Sequence, residues 1–483
     1  MIPLRDTIEF VLNDHLVTVG FNPETGLKPT TTVLNYLRSL PFHKGVKEGC
    51  AEGDCGACTV VIAENNHGKL AYKTIDSCLV FLPMIHGKQL ITVENLADKS
   101  ELHPVQQEMV NQNGSQCGYC TPGIVMSLFG LYKNHHNPGK EIIEDALTGN
   151  LCRCTGYQPV IAAAKHACSC VDEDKFSRHE NEILSLLQAI NEDKTPVEIS
   201  THIQQYYKPF TLHDALKFRK RYPEYLIVGG ASDIALRQTK KRELLTGILD
   251  ISDIPELNYF KDNGQVYEMG SGLNLEQLKA HSVDKLHALH TILQHFGSLQ
   301  IRNLATIGGN VGSASPIGDT LPLLFACKAK VRLQSESSVR MLDIDKFIRD
   351  YRQTDIHPDE LITAMHIPKP EPETILRSYK VSKRKDLDIS TVSCAFSLQL
   401  DGGKVKEIIL AFGGMAAKTG RASKTETFLL GKFWTRAVVE QAMEILVSEF
   451  SPISDARAGA EYRSLVSRNL LLKFYTETLP SGQ

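Results

Sequence analysis

The 483-residue chain is 42% hydrophobic and 23% charged, with 53 Lys+Arg against 56 Asp+Glu and a net charge of -3; at roughly 100–200 residues per domain, that is three or four ordinary globular domains. Near-neutrality gives no electrostatic reason to expect nucleic acid or an anionic membrane as a partner. No apolar run is long enough to span a bilayer, and "MIPLRDTIEF" lacks the basic and apolar regions of a secretory signal, so the expected setting is the cytoplasm.

In chain order, "TIEFVLNDHLVTVGF" reads as strand, Asn-Asp turn, strand, with alternating apolar positions. "TTTVLNYLRSL" reads as a threonine-capped helix with Val33, Leu34, Leu37 and Leu40 on one face. "EGCAEGDCGACTV" then places Cys50, Cys55 and Cys58 in nine residues, and Cys78 follows after nineteen intervening residues. "ACTVVIAENNHGKLAYKTI" is a second hairpin carrying an Asn-Asn-His-Gly turn. Ten of the twelve cysteines precede residue 171, and in a reducing compartment such a concentration points to metal ligands rather than disulfides.

The spacing C-x4-C-x2-C…C is that of a plant-type [2Fe–2S] ferredoxin. Four thiolates must converge on two irons, and a loop supplying three of them needs residues that accept positive φ and close amide–sulfur approach. Gly49, Gly53 and Gly56 suit that purpose. Two hairpins around one helix suit a β-grasp ferredoxin fold. A zinc site is the alternative, although zinc favours two CxxC-like knuckles over three cysteines on one loop.

"QCGYCTPG" supplies Cys117 and Cys120, and "GNLCRCTGY" supplies Cys152 and Cys154, with the helical stretch "IVMSLFGLYKNHHN" between them. Thr121-Pro122 suits a helix start, and a helix N-terminus favours thiolate and an anionic cluster. Alone, this set also admits a four-cysteine zinc site or a redox dithiol. A rival C-x-C, Cys168 and Cys170 in "HACSCVDED", lacks turn-forming neighbours and reads as spare surface thiols. Cys327 and Cys394 sit singly in apolar surroundings and read as core thiols.

Together "KEGCAEGDCGACTV", "QCGYCTPG" and "GNLCRCTGYQPV" resemble the iron–sulfur region of the xanthine dehydrogenase family of molybdenum hydroxylases. The resemblance covers nearly the first 170 residues and all eight ligand cysteines. It implies a plant-type [2Fe–2S] domain over 1–90 and a four-helix [2Fe–2S] domain over 91–170. It also implies that Gln116 touches the pterin of a molybdenum cofactor held by a larger partner chain.

Residues 171–204 are polar and read as a linker, with one amphipathic helix at "EILSLLQAI". Beyond it, "KPFTLHDALKFRKRYPEYLIVGGASDIAL" reads as capped helix, strand and glycine loop. "NLATIGGNVGSASPIGDTLPLLFA" repeats small residues at what reads as a strand end. Such loops form nests for phosphate oxygens, but they also occur as plain turns, and neither is G-x-G-x-x-G. "GGMAAKTG" has Ala417 before Lys418 and is not a P-loop. "RAVVEQAMEILVSEF" and "EYRSLVSRNLLLKFY" are helical in period, so the C-terminal part should run strands first, then helices.

"LIVGGASDI", "TIGGNVGSASPIGDTLP" and "YKVSKRKDLDIS" occur in the order found in the flavin-binding domain of the same family. The resemblance implies a two-lobed α+β FAD-binding domain over 205–372 and a C-terminal α+β flavoprotein domain over 373–483. By that match Leu226, Ile227, Val228, Gly229, Gly230, Ala231, Ser232, Asp233 and Ile234 cradle the FAD pyrophosphate. Phe296, Thr306, Gly309, Asn310, Ser313 and Asp319 continue the FAD site, and Ile362 and Lys380 complete it. Asp319 suits a ribose hydroxyl and Lys380 a negative cofactor edge; a solvated strand-end lysine is the plainer reading of Lys380. The first loop reads Gly-Gly-Ala-Ser-Asp where relatives carry Gly-Asn-Thr or Gly-Gly-Thr-Asp.

The whole is expected to be a multidomain α+β chain with two [2Fe–2S] clusters and FAD, and with no catalytic residue of its own. The resemblance implies an electron-transfer subunit for oxidation of hypoxanthine to xanthine and xanthine to urate. Electrons would run from molybdenum on the partner through the helical-domain cluster, the ferredoxin-domain cluster and FAD to NAD+. The heterodimer would pair into a heterotetramer. The alternatives are the same part of another molybdenum hydroxylase, acting on an aldehyde or N-heterocycle, and a self-sufficient NADH-linked iron–sulfur flavoprotein.

Overall fold

The computed structural model describes residues 5–99, 101–169 and 173–479. The chain divides into two compact units: Met1–Ala215 with Glu224–Ile254 and Gly297–Ala305, and Leu216–Pro223 with Pro255–Phe296 and Thr306–Gln483.

The first unit opens with the expected β-grasp. Strands Thr7–Leu12 and His15–Gly20 form an antiparallel hairpin, turned at Asn13 with φ 58°. Thr59–Asn66 and Lys69–Asp76 form the second, closed by His67 and Gly68 at φ 53° and 82°. Two left-handed residues give a turn whose twist matches that of the strands. Gln89–Ile91 enters between the hairpins, parallel to the first and antiparallel to the second. Helix Val33–Ser39 is capped by Thr32, which accepts from the Asn35 amide, and buries Val33, Leu34 and Leu37.

Four helices follow: Pro104–Asn111, Thr121–Asn134, Lys140–Leu147 and Gln158–Ala167. The second is buried continuously from Gly123 to Tyr132, so it is the axis of this part. The rival thiol Cys168 is no surface group. It caps the last of these helices and is 1% exposed in the same core, because the helix's final turn faces inward. Cys170 lies outside the described residues.

The polar stretch read as a linker is built into this core. Helix Glu180–Glu192 buries Ile183, Leu187 and Ile190 against it, since apolar residues at i, i+4 and i+7 make one stripe. Asp174 caps the short helix Lys175–Arg178 through the Ser177 amide. It also accepts from Lys133 at 3.0 Å and lies 3.3 Å from His103.

A four-stranded sheet completes the unit. Val197–Ser200 pairs antiparallel with Gln205–Lys208, which runs parallel to Gly247–Asp250, itself parallel to Leu226–Val228. Its Val197, Ile199, Tyr206, Val228 and Ile248 join Ile8, Phe10 and Leu37 in a single core. A chain of charges crosses the same ground. Lys88 bridges Glu64 (3.1 Å) and Asp253 (2.7 Å), and Lys208 bridges Asp253 (2.8 Å) and the fully buried Asp250 (2.9 Å). Against the cost of burial, Lys88 and Lys73 hold the Glu64 carboxyl at about 2, below its ordinary 4.5. Its stabilising contribution is therefore complete above pH 4.5 and is lost as pH falls through about 2.

In the second unit, a five-stranded antiparallel sheet runs in the order Phe260–Asp262, Val266–Gly270, Leu361–Pro368, Lys330–Gln334, Val339–Asp343. A second sheet orders Ile375–Val381, Val392–Asp401, Lys404–Gly413 and Gly420–Arg421. Helices Ser423–Leu429, Arg436–Glu449 and Ala460–Glu477 follow it, strands first and then helices as expected. Phe396, Phe412, Trp434 and Phe474 fill the core between them. Cys394 is buried there, whereas Cys327 is half-buried at the end of helix Thr320–Ala326.

Lys208 is fully buried and meets Asp250 at its second oxygen, Oδ2, which also accepts from the Tyr206 hydroxyl. Replacing it (Lys208→Met) strands a buried carboxylate and should cost about 3–5 kcal/mol in denaturant unfolding. The pair Lys208→Met with Asp250→Asn should recover most of that loss.

Candidate functional site

The loop carrying the first three cysteines folds back on itself. The Cys50 sulfur accepts from the Glu52 amide (3.4 Å) and the Asp54 amide (3.3 Å). Cys50 hydrogen-bonds to Cys55, and Cys58 to Cys78. The bond with Cys55, helped by those two amides, draws the Cys50 thiol down to about 5 against the opposing effect of burial. Cys58 and Cys78 are 2% and 1% exposed. Ser77 ties their segments together, its hydroxyl donating to the Cys58 carbonyl at 2.6 Å. Gly53 and Gly56 take φ 80° and 66° as expected, and Ala51 joins them at 55°. Gly49 is needed for a different reason: a Cβ there would lie 2.8 Å from the Cys55 sulfur.

The second set is mounted on a helix start. Cys120 caps Thr121–Asn134, with proline in the first turn. Cys117 hydrogen-bonds to Cys154, and Cys120 to Cys152. The Tyr119 amide, then Cys154, lowers the Cys117 thiol, while burial, then Cys152, pushes Cys120 up to about 12. Tyr157, left-handed at φ 66°, accepts from the Cys152 amide at 2.8 Å. Cys117, Cys154 and the neighbouring Gln116 are exposed.

Among the described residues, no group of three or more His, Cys, Asp or Glu side chains gathers as it would around one ion. In each set the thiols meet two by two. Two irons taking two thiolates apiece match that donor set, and the amides on Cys50 suit an anionic cluster.

The two loops are joined directly. The Leu151 amide donates to the Cys55 carbonyl at 3.0 Å, one residue before Cys152. Asn150, 2% exposed, donates to the Gly56 carbonyl and the Thr59 hydroxyl, both at 3.2 Å. Its own oxygen accepts from Ser127 (2.6 Å) and Gln300 (2.9 Å). A Cβ on Gly123 would lie 2.1 Å from the Gly56 carbonyl oxygen, so the helix approaches the first loop backbone to backbone. Sequence reading missed Asn150; its one signal was an amide side chain set between glycine and the C-x-C. It also missed Asp76, a buried carboxyl that takes the Cys58 thiol at 3.7 Å. Burial first, then Cys50, raises Asp76 well above the usual carboxylate range.

The expected flavin residues fall in both units. In the first, Leu226, Ile227 and Val228 form a strand, and Gly229, Gly230, Ala231, Ser232 and Asp233 turn the chain toward Ile234, which caps helix Ala235–Thr239. Gly230 is obligatory, since a Cβ would sit 1.7 Å from the Leu304 carbonyl oxygen. Ala231 is held left-handed at φ 61°, a conformation that costs alanine more than glycine.

In the second unit the small-residue stretch is not a strand end. It is helix Ile307–Ser313, capped by Thr306, which accepts from the Gly309 amide at 3.0 Å. Threonine at the cap position and no β-branched run behind it favour the helix. Gly309 and Gly312 are exposed and leave a strip of bare backbone along the helix. Ile362 lies beside Gly312, its Cδ1 3.3 Å from where a Cβ would be. Ser313 donates to the Asn310 carbonyl, and Thr320 donates to the Asn310 side chain at 2.6 Å.

Lys380 is not solvated. Its side chain is 4% exposed and pairs with Asp319 at 2.8 Å, and it donates to the His295 carbonyl beside Phe296 at 2.9 Å. The Ser390 hydroxyl takes the other Asp319 oxygen. Asp319 thus meets Lys380 through one oxygen and Ser390 through the other.

Two outcomes test these contacts. Asn150→Ala leaves four buried polar groups short of a partner and should cost about 1–3 kcal/mol in thermal or denaturant unfolding. Lys380→Met strands the Asp319 carboxylate and should weaken FAD binding roughly tenfold, about 1.4 kcal/mol, with iron content unchanged.

Residues 92–165 match the [2Fe-2S] binding domain, 199–370 the FAD binding domain in molybdopterin dehydrogenase, and 377–478 the CO dehydrogenase flavoprotein C-terminal domain. The chain is 31% identical to xanthine dehydrogenase of Emericella nidulans, covering 98% of this chain and 39% of that protein. It is 30% identical to xanthine dehydrogenase 1 of Arabidopsis thaliana, covering 92% and 38%. It therefore spans about two fifths of the length of such relatives. In fold it resembles a chain of carbon monoxide dehydrogenase from Hydrogenophaga pseudoflava (TM-score 0.54, 22% identity, 57% of this chain and 96% of that one). It also resembles one of quinoline 2-oxidoreductase from Pseudomonas putida 86 (TM-score 0.53, 20% identity, 57% and 98%). With its paired thiol sets and bare-backbone strip set beside these matches, the chain belongs to the molybdenum hydroxylase family of oxidoreductases, whose iron–sulfur and FAD-binding part it represents.

Proposed function

We propose that this chain is the electron-transfer part of a xanthine dehydrogenase-type enzyme. It holds two [2Fe–2S] clusters and FAD, receives electrons from a molybdenum centre on a larger partner chain, and delivers them to NAD+. In this reading it supports oxidation of hypoxanthine to xanthine and of xanthine to urate, in the cytoplasm, as a heterodimer that pairs into a heterotetramer. Its own residues carry no bond-making step. They hold, space and electrically tune the bound groups, which supply the one- and two-electron redox chemistry.

The observation that carries the reading is the union of the two thiol sets. Cys55 and Cys152 belong to loops joined by one backbone hydrogen bond, so the two groups they hold are kept at a fixed, short separation. Exposure gives the wire a direction. Cys117 and Cys154 open to the surface beside Gln116, where a partner's cofactor would dock, while Cys58 and Cys78 are enclosed. Xanthine is favoured over other substrates by the relatives named above; the part of their length outside the match leaves room for a molybdenum domain.

The purified chain should be brown-yellow, with about four irons per FAD, as two [2Fe–2S] clusters require, and should bleach on adding NADH. A colourless protein holding zinc overturns the cluster assignment. A coloured protein that ignores NADH overturns the NAD+ end alone. Copurification with a larger molybdenum chain that oxidises aldehydes or N-heterocycles and not xanthine overturns the substrate.

A further inference from the structure

Lys240 belongs to neither cysteine motif and to no flavin motif. It closes helix Ala235–Thr239, directly after the Leu226–Ile234 loop. Its ammonium donates to the backbone carbonyl of Cys50 at 3.1 Å and pairs with Glu52 at 3.1 Å. The first contact falls on a ligand residue's own peptide group. The cysteine loop is held from elsewhere too: a Cβ at Gly53 would come within 2.7 Å of Leu79 and 2.8 Å of Ile301. The ammonium sits on the rim of the Cys50–Cys58 loop, held by these two contacts.

The charges around that loop are mostly negative. Glu52 and Asp54 lie on it. A [2Fe–2S] cluster on four thiolates is anionic when oxidised and gains one more negative charge on reduction. A nearby cation lowers the energy of the reduced form more than that of the oxidised form, and a nearby carboxylate does the reverse. Lys240 and Glu52, bonded to each other at the loop's edge, are opposed in sign and similar in position. As an ordinary surface ion pair they would contribute little to stability; their effect falls on the group the loop encloses.

We infer that Lys240 is a positioning residue that raises the reduction potential of the cluster held by Cys50, Cys55, Cys58 and Cys78, with Glu52 as its counterweight. This rests on the reading that those cysteines hold a [2Fe–2S] cluster. It gives the segment following the flavin loop a second task, setting how readily the neighbouring cluster accepts an electron. Lys240 is 44% exposed, so salt should diminish the effect.

The test is a redox titration of the full chain, both clusters loaded and followed separately by electron paramagnetic resonance, for the wild type, Lys240→Gln, Lys240→Arg and Glu52→Gln. At the wild-type midpoint, Lys240→Gln should shift the reduced-to-oxidised ratio of one cluster roughly three- to tenfold toward oxidised, up to about 59 mV for a one-electron couple. The other cluster should not move. Glu52→Gln, which keeps the backbone N–H donating to the Cys50 sulfur, should shift the same cluster toward reduced. Lys240→Arg should titrate near wild type, and raising the ionic strength should narrow the gap. Unmoved potentials in a loaded chain overturn this proposal alone. Shifts of the same sign for Lys240→Gln and Glu52→Gln also overturn it, because loosening of the loop has no charge sign. A wild-type chain without cluster signals overturns the cluster reading and this proposal with it.

Discussion

A buried asparagine with every polar direction satisfied holds the two halves of the iron–sulfur region together. Asn150 reaches the Gly56 carbonyl and Thr59 on one side and Ser127 and Gln300 on the other. Leu151 beside it bonds the Cys55 carbonyl. An amide buried without partners is costly, and one with a complete set of partners specifies a single arrangement. The loop with Cys152 and Cys154 can therefore dock on the loop with Cys50, Cys55 and Cys58 in one register only. Electron transfer between bound groups depends on their separation, so a specific polar lock at this point serves function as well as stability.

The rest of the first unit extends that lock. One apolar core runs from the β-grasp sheet into the sheet whose last strand leads into the Gly229–Asp233 turn. The charge chain from Glu64 through Lys88, Asp253 and Lys208 to Asp250 spans the same pair of sheets. Buried ion pairs are weak sources of net stability but strong penalties against misalignment. Their presence between the two sheets fits a protein that must fix where one loop lies relative to another.

In the second unit the same economy of parts is visible at Asp319. Its carboxylate meets Lys380 and Ser390, so a lysine that looked free to answer a cofactor's charge is first answered by the protein. The bare strip at Gly309 and Gly312 depends on a helix that the small residues conceal in sequence, because glycine-rich stretches carry no apolar period to reveal one.

Much of the plan was legible without coordinates. The eight cysteines, the two hairpins, the Thr32 cap and the proline after Cys120 are local signals, set by spacing, turn chemistry and φ preference. Those act within a few residues and so survive in one dimension. What the sequence could not disclose were partners brought from far along the chain. Gln300 meets Asn150 across 150 residues, and Lys240 meets Cys50 across 190. A polar stretch of apparent linker turned out to bury Ile183, Leu187 and Ile190. The candidate ligands were written in residue type and spacing. Pairing of the thiols, the union of the two loops and the charges placed around them were decided by tertiary packing, because hydrogen bonds and Coulomb interactions depend on distance in space and not on separation along the chain.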